Sequence, residues 1–158
     1  MREPLPKDPN PQFEIIEHPA DVGFVAYGAT LEELFANAAV ALLSLGCELA
    51  GVEERDRREL EAAGADLEAL LFAWLAEILA VGDAEQLVFR RVEVTRLAVP
   101  LPAEGANRGS GRALGIAYGE KFDKARHRAG TYIKAVTFHQ LRVEQTAEGW
   151  RAQVYLDV

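Results

Sequence analysis

The stretch HPADVGF, His18 to Phe24, sets a histidine and an aspartate directly before a strongly apolar run, and the final WRAQVYLDV carries a second aspartate, Asp157, beside Val158. An aspartate at the mouth of a strand serves a turn cheaply, because its side chain hydrogen-bonds nearby backbone amides. A second use opens if the two strands are neighbours, since Asp21, Asp157 and the terminal oxygens of Val158 would then converge. Clustered oxygens either push one another's pKa upward or bind a cation. Calcium, magnesium or manganese would suit such a donor set, because hard ions prefer oxygen.

The other reactive residue types are less well arranged. His18, His127 and His139 are the only histidines and form no HxH or HExxH pattern, which argues against a zinc hydrolase. His18 lies close enough to Asp21 to orient it or to add a third ligand. His139 alternates with Thr137 and Leu141 and reads as a partly buried strand residue that, like His18, could hold the candidate ligands in place. GANRGSG at 105–111 lacks the GKS or GKT ending of a phosphate loop and leads into no clear helix. Ser44, Ser110 and Cys47 have no nearby base, so no nucleophile is set up. Lys121, Lys124, Arg126, His127, Arg128 and Lys134 form a basic group, read either as a solvated loop or as a patch for RNA or an acidic protein surface.

The elements that must position these residues follow from periodicity. FEIIEH and ADVGFVAYG read as strands, with Ala20, Val22, Phe24 and Ala26 on one face and Asp21, Gly23, Val25 and Tyr27 on the other. Thr30 and Glu33 form a capping box ahead of a helix whose apolar stripe runs Leu31, Leu34, Phe35, Ala38, Ala39, Leu42 and Leu45, with Gly46 as a left-handed stop. Val52 to Leu60 is charged enough for a protected edge strand. Asp66 caps a second helix that Gly82 and Asp83 close.

Period two returns in LVFRRVEVTRLAV, and the glycine-rich loop LPAEGANRGSG separates it from the strand RALGIAYGEKF. DKARHRAG is a basic, loose connection into a strand TYIKAVTFHQLRVEQ. In the last strand Trp150, Ala152, Val154, Leu156 and Val158 share one face, and Arg151, Gln153, Tyr155 and Asp157 the other. No convincing internal repeat is visible. The fold expected is α+β, two amphipathic helices covering one side of a mainly antiparallel sheet.

The bulk numbers bound the function. A chain of 158 residues, 49% hydrophobic, suits one domain over 13–158 behind a proline-rich tail at 1–12. The formal charge of -8 disfavours broad clamping of a phosphate backbone and favours a partner with a basic cleft. One cysteine excludes a disulfide framework, and no apolar run reaches the roughly 18–20 residues of a membrane span, so a soluble cytoplasmic protein is expected.

Taken together, HPADVGFVAYGATLEELFANAA at 18–39, DLEALLFAWLAEIL at 66–79, YGEKFDKARH at 118–127, IKAVTFHQLRV at 133–143 and the final WRAQVYLDV resemble the archease family, which assists the RtcB-type tRNA-splicing RNA ligase. The resemblance implies an α+β accessory protein, not itself a ligase, that promotes guanylylation of the ligase's histidine and repeated turnover. It also implies a divalent ion, calcium in the first instance, held by Asp21, Asp157 and Val158. Pro19 replaces the commoner threonine of an HTAD motif, and Ala76 stands where many relatives carry a polar residue. Neither change touches the implied ligands. Two rival functions are a direct RNA-binding accessory protein using 121–134, and a stand-alone metal-dependent phosphoester hydrolase using His18, Asp21 and Asp157.

Overall fold

The computed structural model describes residues 12–18, 21–99 and 110–158, and the side chains of Glu17, His18 and Asp21 fall outside that description. The expected tail, apart from Gln12, and the expected glycine-rich loop, apart from its last two residues, also lie outside the described residues. The elements run β1 (Phe13–His18), β2 (Asp21–Gly28), α1 (Leu31–Gly46), β3 (Asp56–Gly64), α2 (Leu67–Glu85), β4 (Leu87–Ala98), β5 (Gly111–Lys121), β6 (Ala135–Val136), β7 (Arg142–Thr146) and β8 (Gly149–Asp157).

The α+β class holds, with antiparallel pairing throughout, but the strands divide into two sheets where the sequence suggested one. The first has the order β1-β2-β8, with β6 and β7 both pairing along the far side of β8. The second is β3-β5-β4. Charged β3 is an edge, as its composition implied, and its Arg58 reaches Glu85 at 2.8 Å. Both helices contact strands of both sheets, so one core serves the whole fold. At its centre Trp74 is fully buried and its indole N–H donates to the Phe35 carbonyl at 3.1 Å. Burying a side chain of this kind contributes about 1.5–3 kcal/mol.

Each helix starts at a corner of the same build, GATLEEL at Gly28–Leu34 and GADLEAL at Gly64–Leu70. The Thr30 hydroxyl accepts from the Glu33 amide at 3.2 Å, and the Asp66 carboxylate accepts from the Ala69 amide at 2.7 Å. A Cβ on Gly28 would lie 2.3 Å from the Leu34 nitrogen, and one on Gly64 would lie 2.3 Å from the Leu70 nitrogen. Only glycine lets the strand end press against the first helical turn. This likeness is too short to register as a repeat in the sequence.

The helix ends differ from expectation. Gly46 is the last residue of α1 and the chain leaves through extended Cys47, which bridges to Ala129. Helix α2 continues past Gly82 and Asp83 to Glu85, and Gln86 at φ 55° takes the left-handed position, its N–H donating to the Gly82 carbonyl. TYIKAVTFHQLRVEQ is two short strands rather than one, because Gln140 at φ 51° breaks the extended run. Among the described residues no helix is long and apolar enough to cross a membrane.

Candidate metal-binding edge

Strand β8 lies at the centre of its sheet and follows the alternation read from sequence. Ala152, Val154 and Leu156 are fully buried, while Asp157 emerges exposed at the strand's end. On one side Val22 pairs with Leu156 and Gly23 with Tyr155. Continuing that register by one residue sets the Asp21 backbone opposite Asp157. On the other side Ala135 pairs with Asp157, and the Lys134 amide donates to the Asp157 carbonyl at 2.8 Å.

Small residues make this edge possible. A Cβ on Gly23 would lie 2.6 Å from the Val154 carbonyl oxygen and 2.8 Å from a Tyr155 ring carbon, so the glycine leaves room for the ring across the strand. Tyr155 in turn lies 5.8 Å, centroid to centroid, from the exposed His139 ring. The Thr137 amide and hydroxyl both donate to the Tyr155 carbonyl, at 3.1 and 3.0 Å. The His139 amide donates to the Thr137 hydroxyl at 3.3 Å. His139 is thus a surface residue beside the edge and not the partly buried one expected.

The donor chemistry suits a hard cation. Among the described residues the Asp157 carboxylate accepts no hydrogen bond, and its carbonyl is engaged by Lys134, so the carboxylate oxygens are the free donors there. Val158 follows at 37% exposure and adds backbone oxygen. The Asp21 backbone stands opposite by register, and His18 of β1 is its Cα partner. No group of three His, Cys, Asp or Glu that could hold a metal occurs among the described residues, a set that leaves out the Asp21 side chain.

A second acidic centre, absent from the sequence reading, is fully built. Glu120, 3% exposed near the end of β5, accepts from both terminal guanidinium nitrogens of Arg126 at 2.9 and 3.0 Å and from the Glu53 amide at 2.6 Å. His127, 5% exposed, places Nε2 3.0 Å from the same carboxylate. The Asp123 amide donates to His127 Nδ1 at 2.8 Å, which leaves the proton on Nε2 and makes that nitrogen the donor to Glu120. The Arg126 guanidinium, then the Glu53 amide and His127, hold the Glu120 carboxyl down at about 2.

The expected basic group is therefore broken up. Arg126 and His127 are committed to Glu120, and the Lys121 ammonium donates to the Glu85 carbonyl at 2.6 Å. Lys124, Arg128 and Lys134 remain on the surface. Nor is 123–130 loose, since it forms a turn bonded internally and to α1. Little in the sequence signals it, because the alternation of β5 assigns Glu120 to the outer face and its burial breaks that pattern; the only cue was Arg126 and His127 six and seven residues on. An apolar cleft of about 210 Å³, lined by Leu42, Cys47, Ile78, Phe89 and Tyr132 among others, holds none of the candidate ligands.

Fold and edge together define a small α+β protein with an exposed carboxylate at the end of β8 and a closed structural ion pair near the end of β5. The model of the Archease protein family (MTH1598/TM1083) matches residues 13–158. The protein archease of Methanosarcina mazei is 37% identical over 147 residues, covering 93% of this chain and 96% of its own. That of Pyrococcus abyssi is 37% identical over 152 residues, covering 93% and 99%. The solution structure of Methanobacterium thermoautotrophicum protein 1598 superposes with a TM-score of 0.74 at 31% identity, covering 93% of this chain and 99% of that one. A Thermotoga maritima archease, described as a possible chaperone, shares the fold at a TM-score of 0.56 and 21% identity, covering 100% and 98%. The chain belongs to the archease family. Members of this family are accessory proteins associated with RtcB-type RNA ligases and are not themselves catalysts.

Proposed function

We propose that this protein activates an RtcB-type RNA ligase in the cytoplasm, promoting its GTP-dependent guanylylation and multiple turnover in tRNA splicing or RNA repair. The observation that carries the reading is the exposed Asp157 carboxylate at the end of a central strand, which bonds to no described group and whose backbone the register sets opposite that of Asp21. Asp21, Asp157 and Val158 would hold a divalent ion, Ca2+ in the first instance and Mg2+ or Mn2+ as alternatives. Such an ion supplies positive charge that neutralises and orients phosphate oxygens. The chain's own part is to fix the two aspartates on paired strands and to keep their side open to the ligase. With a formal charge of -8 it would be drawn to a basic RNA cleft, and RNA would be met through the ligase rather than directly.

The test is GTP-dependent guanylylation and multiple-turnover RNA joining by an RtcB-type ligase, with wild type, Asp21→Ala and Asp157→Ala, alongside Ca2+ titration of each. Stimulation by wild type that both folded variants lose is the expected result. Undiminished stimulation by either variant removes that aspartate from the site. The direct RNA-binding alternative is weakened by the engagement of Arg126, His127 and Lys121 within the fold.

A further inference from the structure

We propose that Glu120 is a positioning residue for the Asp157 edge, acting through the strap of chain from Phe122 to Val136. The strap is fastened at three places. At its start the Phe122 amide donates to the Gln86 carbonyl at 2.8 Å, and the following turn closes on Glu120 through Arg126 and His127. Midway it caps α1, where the Thr131 amide donates to the Leu45 carbonyl at 2.8 Å and the Gly130 amide to the Gly46 carbonyl at 3.0 Å. Carbonyls at a helix end have no partner within the helix, so these bonds serve both segments. The Arg128 carbonyl also accepts from the Glu48 amide at 3.0 Å. At its far end the Lys134 amide holds the Asp157 carbonyl and β6 pairs with the end of β8.

The strap's register is thus set at a buried carboxylate and delivered at the candidate ligand. In extended chain a slip of one residue moves the backbone by about 3.3 Å and exchanges its faces, so a loosened start displaces the bonds that hold Asp157. Glu120 is the one group that binds the Arg126 and His127 side chains and the Glu53 amide together. Glutamine in its place loses the charge and one of the two accepting oxygens that serve Arg126, buried His127 and the part-buried Glu53 amide, while the α1 and β8 contacts of the strap remain chemically intact.

This inference rests on the ligase-activator reading, and the experiment separates the two. In the full chain, Glu120→Gln is compared with wild type and with Val92→Ala, a change at a buried β4 position paired to β5 that lowers overall stability and lines no cleft with the strap. Hydrogen exchange is read at the Lys134 and Ala135 amides and, as reference, at Leu60 and Ala62 in β3. Stimulation of ligase guanylylation is read with the same samples. Glu120→Gln is expected to speed exchange at Lys134, relative to the β3 reference, about tenfold more than Val92→Ala does, and to lower stimulation several-fold. Equal acceleration in the two variants, or a fast strap with undiminished stimulation, overturns the proposal. If Glu120→Gln does not fold, Arg126→Gln at a half-exposed position is held to the same criteria. Absence of stimulation by wild type would sink the activator reading, and the exchange comparison would still decide whether Glu120 governs the Asp157 backbone.

Discussion

Glu120 and Asp157 occupy matching places: each carboxylate stands at or next to the end of the central strand of its sheet, β5 in one and β8 in the other. Glu120 is enclosed and saturated by an arginine, a histidine and an amide, whereas Asp157 is exposed and, among the described residues, bonded through its backbone alone. A carboxylate whose lone pairs are all taken by its own protein has none left for a ligand. The difference identifies Glu120 as part of the scaffold and is why the proposed ligand role falls to Asp157.

The comparison can be broken most forcefully at Glu120. Glu120→Ala strands buried His127 and the Glu53 amide, and its thermal midpoint should fall further than that of any other variant considered below. A midpoint equal to wild type would show the corner to be dispensable. Acid should act on the same centre. Because the folded-state pKa is depressed from 4.5 to about 2, the Glu120 contribution is complete above about pH 4.5 and is lost as pH falls towards 2. Denaturant unfolding across that window should weaken with acid more steeply in wild type than in Glu120→Gln, and parallel curves would contradict the assignment.

Gly23→Ala should cost an intermediate about 1–3 kcal/mol, since its Cβ would collide with the Val154 carbonyl, which is backbone and yields poorly. Urea unfolding with the loss confined to below about 0.5 kcal/mol would mean that the strand shifts freely. Asp157→Ala should have the smallest effect on stability, within about 0.5 kcal/mol, because its carboxylate bonds to no described group. In ligase stimulation the order reverses, and this variant should lose at least about tenfold, several-fold more than Glu120→Gln. An Asp157→Ala protein that unfolds early but stimulates normally would erase the contrast between the two centres.

Much of the local structure was legible because it depends on near neighbours. Alternation in WRAQVYLDV placed Asp157 on the outer face, and Thr30 and Asp66 marked both helix starts. The division into two sheets was not, since pairing of β2 with β8 joins residues far apart in the chain and periodicity does not name a strand's partner. The break at Gln140 was hidden for another reason: a residue at positive φ that is not glycine carries little sequence signal, and Phe138 beside it turns to stack on Phe72 at 3.9 Å. The basic group misled because charge was counted without its partner. Glu53, whose amide completes the Glu120 corner, lies 67 residues from it.

The placement of β8 has a consequence for the order in which the molecule can be made. The second sheet and α2 come from one unbroken stretch, Asp56 to Lys121, so they can assemble as soon as that stretch has been synthesised. Strands β1 and β2 emerge earlier but must wait for β8, roughly 120 residues on, and pairings of such long sequence separation form slowly. The pairing that sets the Asp21 backbone opposite Asp157 therefore forms only after β8 has been made, when every other described element already precedes it in the chain.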